Sequence, residues 1–249
     1  MLKTLGIVRA CFGDAATRSK VSRRLRGKTV LQWVVRRVTD CARLSGVIVV
    51  TDNRPENAFV LEQVPLDVPV VVGRQPDALG RVLGALDEYP AETAVQVLGE
   101  NPFIDPGLID RLVTTAEAHP GVDYVSYCSH DGRPAILSPV GVYAEWFRTA
   151  ALRRSAKAAL SAEERREVTR YLYSHPEKFQ LRLLPAPEQI DRDDVRLSVD
   201  MPEDWEHATA ILEALGSEEF DWQRIADLLD HQPHLRQRMA DMNRACAAH

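Results

Sequence analysis

The sequence predicts an α/β fold, a mostly parallel mixed sheet covered on both faces, followed by a helical C-terminal appendage. Three observations carry this. Over the first 130 residues, short β-branched runs alternate with amphipathic stretches of helical length, the pattern of strands joined by crossover helices. The 249 residues, 45% apolar and 27% charged, suffice for a substantial core without disulfides or metals. No apolar stretch approaches the roughly 20 residues that span a bilayer, so no membrane insertion is expected. The first apolar stretch is cut by Arg9, which argues against a signal peptide. Cys11, Cys41, Cys128 and Cys246 form no C-x-x-C pair, and a reducing cytoplasm is the expected setting.

Strands are expected at residues 5–8, 47–51, 68–72, 94–98 and 123–127. Between them, residues 30–44 place Val30, Leu31, Val34, Val35 and Val38 on one helical face, and residues 77–88 do the same with Ala78, Leu79, Val82 and Leu86. Residues 106–119 form a third helix, opened by Pro106 and striped by Leu108, Ile109 and Leu112. In such a sheet ligands gather beyond the carboxyl ends of the strands, so chemistry is expected in loops 9–28, 51–57, 73–77 and 99–106. After residue 128 the turn cluster Ser129-His-Asp-Gly-Arg-Pro134 and an extended run at 136–143, broken by Pro139, predict that the sheet becomes mixed.

Helices are then expected at 144–158 and 161–174, the second opening with the capping box Ser161-Ala-Glu-Glu164. Strands at 179–184 and 196–199 return to the core. From Pro202 the tail reads as three helices separated by Gly216-Ser217 and His231-Gln-Pro233. The division is an α/β domain over 1–215 and a helical extension over 216–249. Leu228, Leu229, Leu235, Met239 and Met242 recur at helical spacing and suit either closure of the core or a dimer face.

The net charge of −5 hides a local reversal: from Arg9 to Lys28 seven basic residues stand against Asp14 alone. A basic pocket in an acidic chain suits a compact anion; nucleic acid would call for a broad basic face. The loop Arg9-Ala-Cys-Phe-Gly-Asp-Ala-Ala-Thr-Arg-Ser-Lys20 can offer free backbone N–H groups plus Arg18 and Lys20, a phosphate cradle of no Walker A type. The same charges are compatible with a solvated surface. In Leu98-Gly-Glu-Asn-Pro-Phe-Ile-Asp-Pro106, Glu100 ends a strand where a carboxylate can hold Mg²⁺, while Asp105 suits a cap for the helix starting at Pro106. In Leu197-Ser-Val-Asp-Met-Pro-Glu-Asp204, Asp200 is either a second ligand or a helix N-cap. Two acidic strand ends beside a basic loop suit a nucleotide phosphate with Mg²⁺. His175, His207, His231 and His234 have no metal-site spacing, and Trp33 and Trp205 are expected in the core.

An ordered set of segments resembles the cytidylyltransferase family, nearest to its spore-coat-polysaccharide type and related to the acylneuraminate and 3-deoxy-manno-octulosonate enzymes. The set comprises the basic loop, Leu25-Arg-Gly-Lys-Thr-Val-Leu31, Gly73-Arg-Gln-Pro-Asp-Ala-Leu-Gly-Arg81, Gly99-Glu-Asn-Pro-Phe-Ile-Asp-Pro106, Glu163-Glu-Arg-Arg-Glu-Val-Thr-Arg-Tyr171 with His175-Pro-Glu-Lys-Phe179, and Ser198-Val-Asp-Met-Pro-Glu-Asp204. The resemblance covers roughly residues 4–215 and implies a nucleotide-diphospho-sugar transferase (GT-A-like) sandwich. It implies a Mg²⁺-dependent nucleotidyltransferase that joins CTP to a sugar or sugar-acid acceptor for a surface polysaccharide or glycoconjugate, releasing pyrophosphate and working as a homodimer. Carried over by position, Arg9, Arg18 and Lys20 balance phosphate charge in catalysis, and Ala10, Gly13, Lys20, Arg74, Asp77 and Arg81 bind the nucleotide. Glu100 and Asp200 hold the metal, and Glu167 and Thr169 lie near the acceptor.

The chain departs from the family pattern in three places. Of the loop Gln-Ala-Arg-Met-Gly-Ser-Thr-Arg-Leu-Pro-Gly-Lys only Ala10, Gly13 and Lys20 stay in register. Gly-Asp-Asn-Pro has become Gly99-Glu-Asn-Pro102, adding a methylene at a site where Mg²⁺ demands tight geometry. The acceptor-side segment Pro-Asp-Gly-Leu-Asp-Val-Glu-Val is set against His130-Asp-Gly-Arg-Pro-Ala-Ile-Leu-Ser-Pro139, which lacks the later carboxylates. Two other readings follow: a catalytically degenerate paralogue acting as a binding or regulatory subunit, and a transferase using a ready-made nucleotide sugar.

Overall fold

The computed structural model describes residues 1–12, 23–216 and 220–247. The first half of the chain runs β1 (Leu2–Arg9), a hairpin of β2 (Arg24–Leu25) and β3 (Lys28–Thr29), α1 (Val30–Thr39), β4 (Gly46–Asp52), α2 (Val60–Gln63), β5 (Val70–Gly73), α3 (Ala78–Glu88), β6 (Ala91–Leu98) and α4 (Pro106–Ala118). The second half runs β7 (Tyr124–Cys128), β8 (Glu145–Arg148), α5 (Thr149–Ala158), α6 (Ala162–Arg166), α7 (Arg170–Ser174), β9 (Leu181–Pro185), α8 (Pro202–Leu215), α9 (Trp222–Asp230) and α10 (Pro233–Ala247).

Seven strands form one sheet in the order β5-β4-β1-β6-β8-β7-β9. It is parallel except for β8, which runs antiparallel to both β6 and β7. The expected α/β class with a mostly parallel mixed sheet is therefore the fold observed. Two apolar layers sandwich the sheet. On one face Trp33, Val34, Leu112 and Ile211 pack from α1, α4 and α8, and on the other Leu79, Leu86, Leu152 and Leu172 pack from α3, α5 and α7. The tail joins the first layer, because Ile225, Leu229, Leu235 and Met239 are buried there. Leu229, Leu235 and Met239 of that stripe thus close the core, while Leu228 and Met242 are partly exposed. Among the described residues, no helix is long and apolar enough to cross a membrane.

Three local expectations are corrected. Residues 145–148, expected to open a helix, form β8. Trp146 enters one apolar layer and Phe147 the other, the period-2 alternation of a strand buried on both faces. The helix expected over 161–174 is two, α6 and α7, because Val168 and Thr169 turn inward between them and are buried. Residues 196–199 are extended but form no ladder: Leu197 and Ser198 N–H both donate to Pro139 O (2.9 and 3.1 Å), and Val199 N–H donates to Glu100 O (2.9 Å).

That last segment is seated by Gly141. Its φ is +70°, and a Cβ there would lie 2.7 Å from the Ser198 nitrogen and 2.9 Å from the Leu197 carbonyl carbon. Gly141→Ala combines left-handed strain with a backbone clash, and a loss of about 2 kcal/mol in unfolding free energy is expected. Urea denaturation measures it; an unchanged midpoint would show that the segment gives way freely.

Candidate active site

Beyond the carboxyl ends of β1 and β6 lies a cavity of about 800 Å³. Of the site residues expected from sequence, it brings together Arg9, Glu100, Glu167, Thr169 and Asp200. Ala10 is buried beside it, its carbonyl accepting from Thr51 Oγ1 at 2.7 Å. Arg74 and Asp77 belong to the β5–α3 turn and Arg81 to the first turn of α3, and none of them lines this cavity. There Asp77 caps α3 through Gly80 N–H (2.7 Å) and pairs with Arg165 (3.1 Å), while Arg81 donates to the carbonyls of Gln75 and Pro76 (3.0 Å each). Gly13, Arg18 and Lys20 lie outside the described residues.

The acidic pair is built by backbone contacts. Gly99 N–H donates to Arg9 O at 2.8 Å, and a Cβ on Gly99 would stand 2.7 Å from that oxygen, so β6 presses against the end of β1 only because residue 99 has no side chain. Glu100 follows at once, and the Val199–Glu100 backbone bond brings Asp200 alongside. Burial pushes the Glu100 carboxyl up to about 7, and the Asp200 charge adds to this, while Arg9 opposes it. Asp200 accepts from Ser198 Oγ at 2.7 Å and faces Arg196 Nη2 at 3.6 Å.

The cap alternative for Asp200 is decided by its neighbour. The Asp204 carboxylate accepts from the N–H groups of Asp200 (2.9 Å) and Met201 (2.8 Å) and is gripped by Arg196 at 2.6 and 3.0 Å. Asp204 therefore serves the start of α8, and Asp200 lines the cavity. Asp105 does cap its helix, accepting from Leu108 N–H (2.9 Å), and also takes Trp222 N–H (3.0 Å). Two mutually repelling carboxylates are a hard-oxygen donor set suited to a divalent cation that completes its shell with phosphate and water. No larger cluster of metal-ligating side chains occurs among the described residues.

A further carboxylate in the cavity is absent from the residues expected from sequence. Glu145, on β8, accepts from Gln96 Nε2, Tyr124 OH and Thr169 Oγ1, each at 2.7 Å. Burial raises its carboxyl to about 7, against the lowering effects of the Tyr124 and Thr169 hydroxyls and of Arg9. Glu167, partly exposed, takes the Tyr173 hydroxyl at 2.5 Å and lies 3.6 Å from Arg170. The Arg9 guanidinium favours the ionised form of both carboxyls, Glu100 and Glu145.

A family model described as Cytidylyltransferase matches residues 6–235, most of the chain. The chain belongs to the cytidylyltransferase family. It is similar to the uncharacterized protein MJ1063 of Methanocaldococcus jannaschii, 28% identical over 94% of this chain and 93% of that one. It is also similar to the spore coat polysaccharide biosynthesis protein SpsF of Bacillus subtilis, 26% identical over 85% of this chain and 87% of that one. Among solved structures, a cytidylyltransferase from Leptospira borgpetersenii superposes with a TM-score of 0.83 at 20% identity, covering 95% of this chain and 98% of that chain, so the fold is shared.

Glu145 closes the segment Gly141-Val-Tyr-Ala-Glu145, which runs from the turn seated against Ser198 into β8. The last turns of α10 also line the cavity, through Asn243, Arg244 and Cys246, beyond the end of the family match. Asn243 Nδ2 holds them there by donating to Asp193 O (2.8 Å) and Val195 O (3.1 Å). No sequence motif marks these residues.

Proposed function

We propose that the chain is a Mg²⁺-dependent nucleotidyltransferase that transfers CMP from CTP to a sugar or sugar-acid acceptor and releases pyrophosphate, serving surface polysaccharide or glycoconjugate synthesis. The observation that carries this is the convergence of Arg9, Glu100 and Asp200 with Glu145, Glu167 and Thr169 on one cavity. In the transfer an acceptor oxygen attacks the α-phosphorus, the bond to the pyrophosphate oxygen breaks, and the acceptor hydroxyl gives up its proton. When bound, the cation at Glu100 and Asp200 supplies charge stabilisation at the phosphate oxygens. Arg9 offers a guanidinium to the same oxygens from the end of β1. Gly13, Arg18 and Lys20 belong with the triphosphate in this reading, and Ala10, Arg74, Asp77 and Arg81 with the nucleotide-side frame. The likeness to SpsF, named for spore coat polysaccharide biosynthesis, supports the polysaccharide setting.

A non-catalytic binding subunit is the competing reading, favoured by the first loop, where only Ala10, Gly13 and Lys20 keep the family register. Isothermal titration of CTP with and without Mg²⁺ decides between them, using the natural chain, Glu100→Ala and Asp200→Ala. Micromolar, Mg²⁺-dependent binding is expected, weakened roughly tenfold or more in each variant. No heat of binding with millimolar CTP or any other nucleoside triphosphate would remove the nucleotidyltransferase reading.

A further inference from the structure

The segment from Asp193 to Asp200 carries one of the two acids of the site, yet it belongs to no ladder. Val195, Leu197 and Val199 are buried in the core, while Arg196, Ser198 and Asp200 line the cavity. Its backbone is pinned to Pro139 O and Glu100 O, and a side chain of α10 fastens it from elsewhere. Asn243 Nδ2 donates to Asp193 O at 2.8 Å and to Val195 O at 3.1 Å, bridging carbonyls two residues apart. Asn243 Oδ1 lies 3.5 Å from Arg196 Nη1, and Nη2 of the same guanidinium lies 3.6 Å from Asp200 Oδ2. One arginine thus joins Asn243 to the Asp200 carboxylate.

The character of α10 changes at Ala240. Leu235, Met239 and Ala240 are buried, and Arg236 pairs with Asp194, whereas from Asp241 to Ala247 no residue is buried. This last stretch nonetheless lines the cavity through Asn243, Arg244, Cys246 and Ala247, and Cys246 Sγ meets Met201 Sδ at 3.5 Å, next in sequence to Asp200. A helix end held by such contacts, with no apolar burial, opens at low free-energy cost. Mg²⁺ demands tight ligand geometry, so a cation at Asp200 binds better when Asn243 holds the segment than when it is released. By linkage, the bound cation must then hold the helix end down.

We propose that Asn243 is a positioning residue for Asp200, and that the last two turns of α10 are a wall of the site which Mg²⁺ and CTP lock in place. This rests on the nucleotidyltransferase reading and adds α10 to its machinery. Asn243 fixes the backbone at Asp193 and Val195, and Arg196 carries that constraint to the Asp200 carboxylate.

The test uses the full chain. Calorimetry first gives the dissociation constant of CTP in Mg²⁺, and hydrogen exchange is then followed by mass spectrometry over residues 233–240 and 241–247. With CTP at about ten times that constant, exchange over 241–247 is expected to slow about tenfold, and CTP with EDTA in place of Mg²⁺ should leave it unchanged. Asn243→Ala should speed this exchange in the free protein and raise the Mg²⁺ concentration for half-maximal CTP binding roughly threefold or more. Ala245→Gly loosens the same turns at an exposed position that does not line the cavity. It should speed exchange about fivefold yet keep the Mg²⁺ requirement within about twofold of the natural chain. Exchange over 233–240 shows that the rest of α10 is intact, and Asn243→Ser replaces the alanine variant if that one does not fold. Exchange over 241–247 that ignores Mg²⁺ and CTP, or slows equally in EDTA, overturns the proposal. So does an unchanged Mg²⁺ requirement in the Asn243 variant, or an equal rise in Ala245→Gly, since looseness alone would then explain it. Failure to bind CTP at the outset is a different result: it removes the nucleotidyltransferase reading, and this inference falls with it.

Discussion

Replacing Asp204 with alanine is expected to lower the unfolding free energy by about 3–5 kcal/mol, because it strands a buried guanidinium. The Arg196 side chain is 5% exposed and that of Asp204 is fully buried, with Nε and Nη2 at 2.6 and 3.0 Å from the two carboxylate oxygens. The same carboxylate receives the N–H groups of Asp200 and Met201 at the start of α8, so its loss also removes a helix cap worth about 1 kcal/mol. Urea denaturation should show a lower midpoint at nearly constant slope. The double variant Arg196→Met, Asp204→Leu should recover most of the loss, since exchanging both members of a buried pair for apolar groups is often close to neutral. A single-variant loss below about 1 kcal/mol would mean that water reaches Arg196 and that the pair does not anchor α8. The consequence for the site is direct. Asp204 holds the backbone of Asp200, so Asp204→Ala should weaken Mg²⁺-dependent CTP binding even though residue 204 does not line the cavity.

The frame of the molecule was legible because its signals are redundant. β1, β4, β5 and β6 each announce themselves by a β-branched run, and α1, α3 and α4 each by an apolar stripe and a cap or a proline at the first turn. β8 was not legible. Glu145-Trp-Phe-Arg148 is four residues long and buried on both faces, and such a run has no periodicity that separates strand from helix. The same misreading hid Glu145, because a glutamate assigned to the first turn of a helix looks like a favourable surface charge. Glu100 and Asp200 were visible as strand-end acids, yet the choice between ligand and cap at Asp200 required Asp204. In Asp200-Met-Pro-Glu-Asp204 either acid can serve the helix on local grounds, and Arg196 decides between them through a tertiary contact that no local rule contains. The contribution of α10 was likewise out of reach, since Asn243 acts by hydrogen bonds to main-chain carbonyls about 50 residues away.

Glu145→Gln should stabilise the fold by about 3 kcal/mol above pH 7 and have little effect near pH 4.5. Its carboxyl is raised from an ordinary value of 4.5 to about 7, so the folded chain binds a proton that the unfolded chain has already released between those values. Stability attributable to this group is thus greatest in acid, falls as pH rises from 4.5 to 7, and stays at its lower level beyond. Glutamine carries no charge to desolvate and therefore escapes the fall. The groups facing residue 145 do not cancel this. Arg9 favours the ionised carboxylate, Glu167 opposes it, and the Tyr124 and Thr169 hydroxyls can turn to accept from an amide as readily as they donate to a carboxylate. Urea denaturation at pH 5 and pH 8 measures the difference directly; equal stability of the two proteins at pH 8 would show that the carboxylate is hydrated through the cavity.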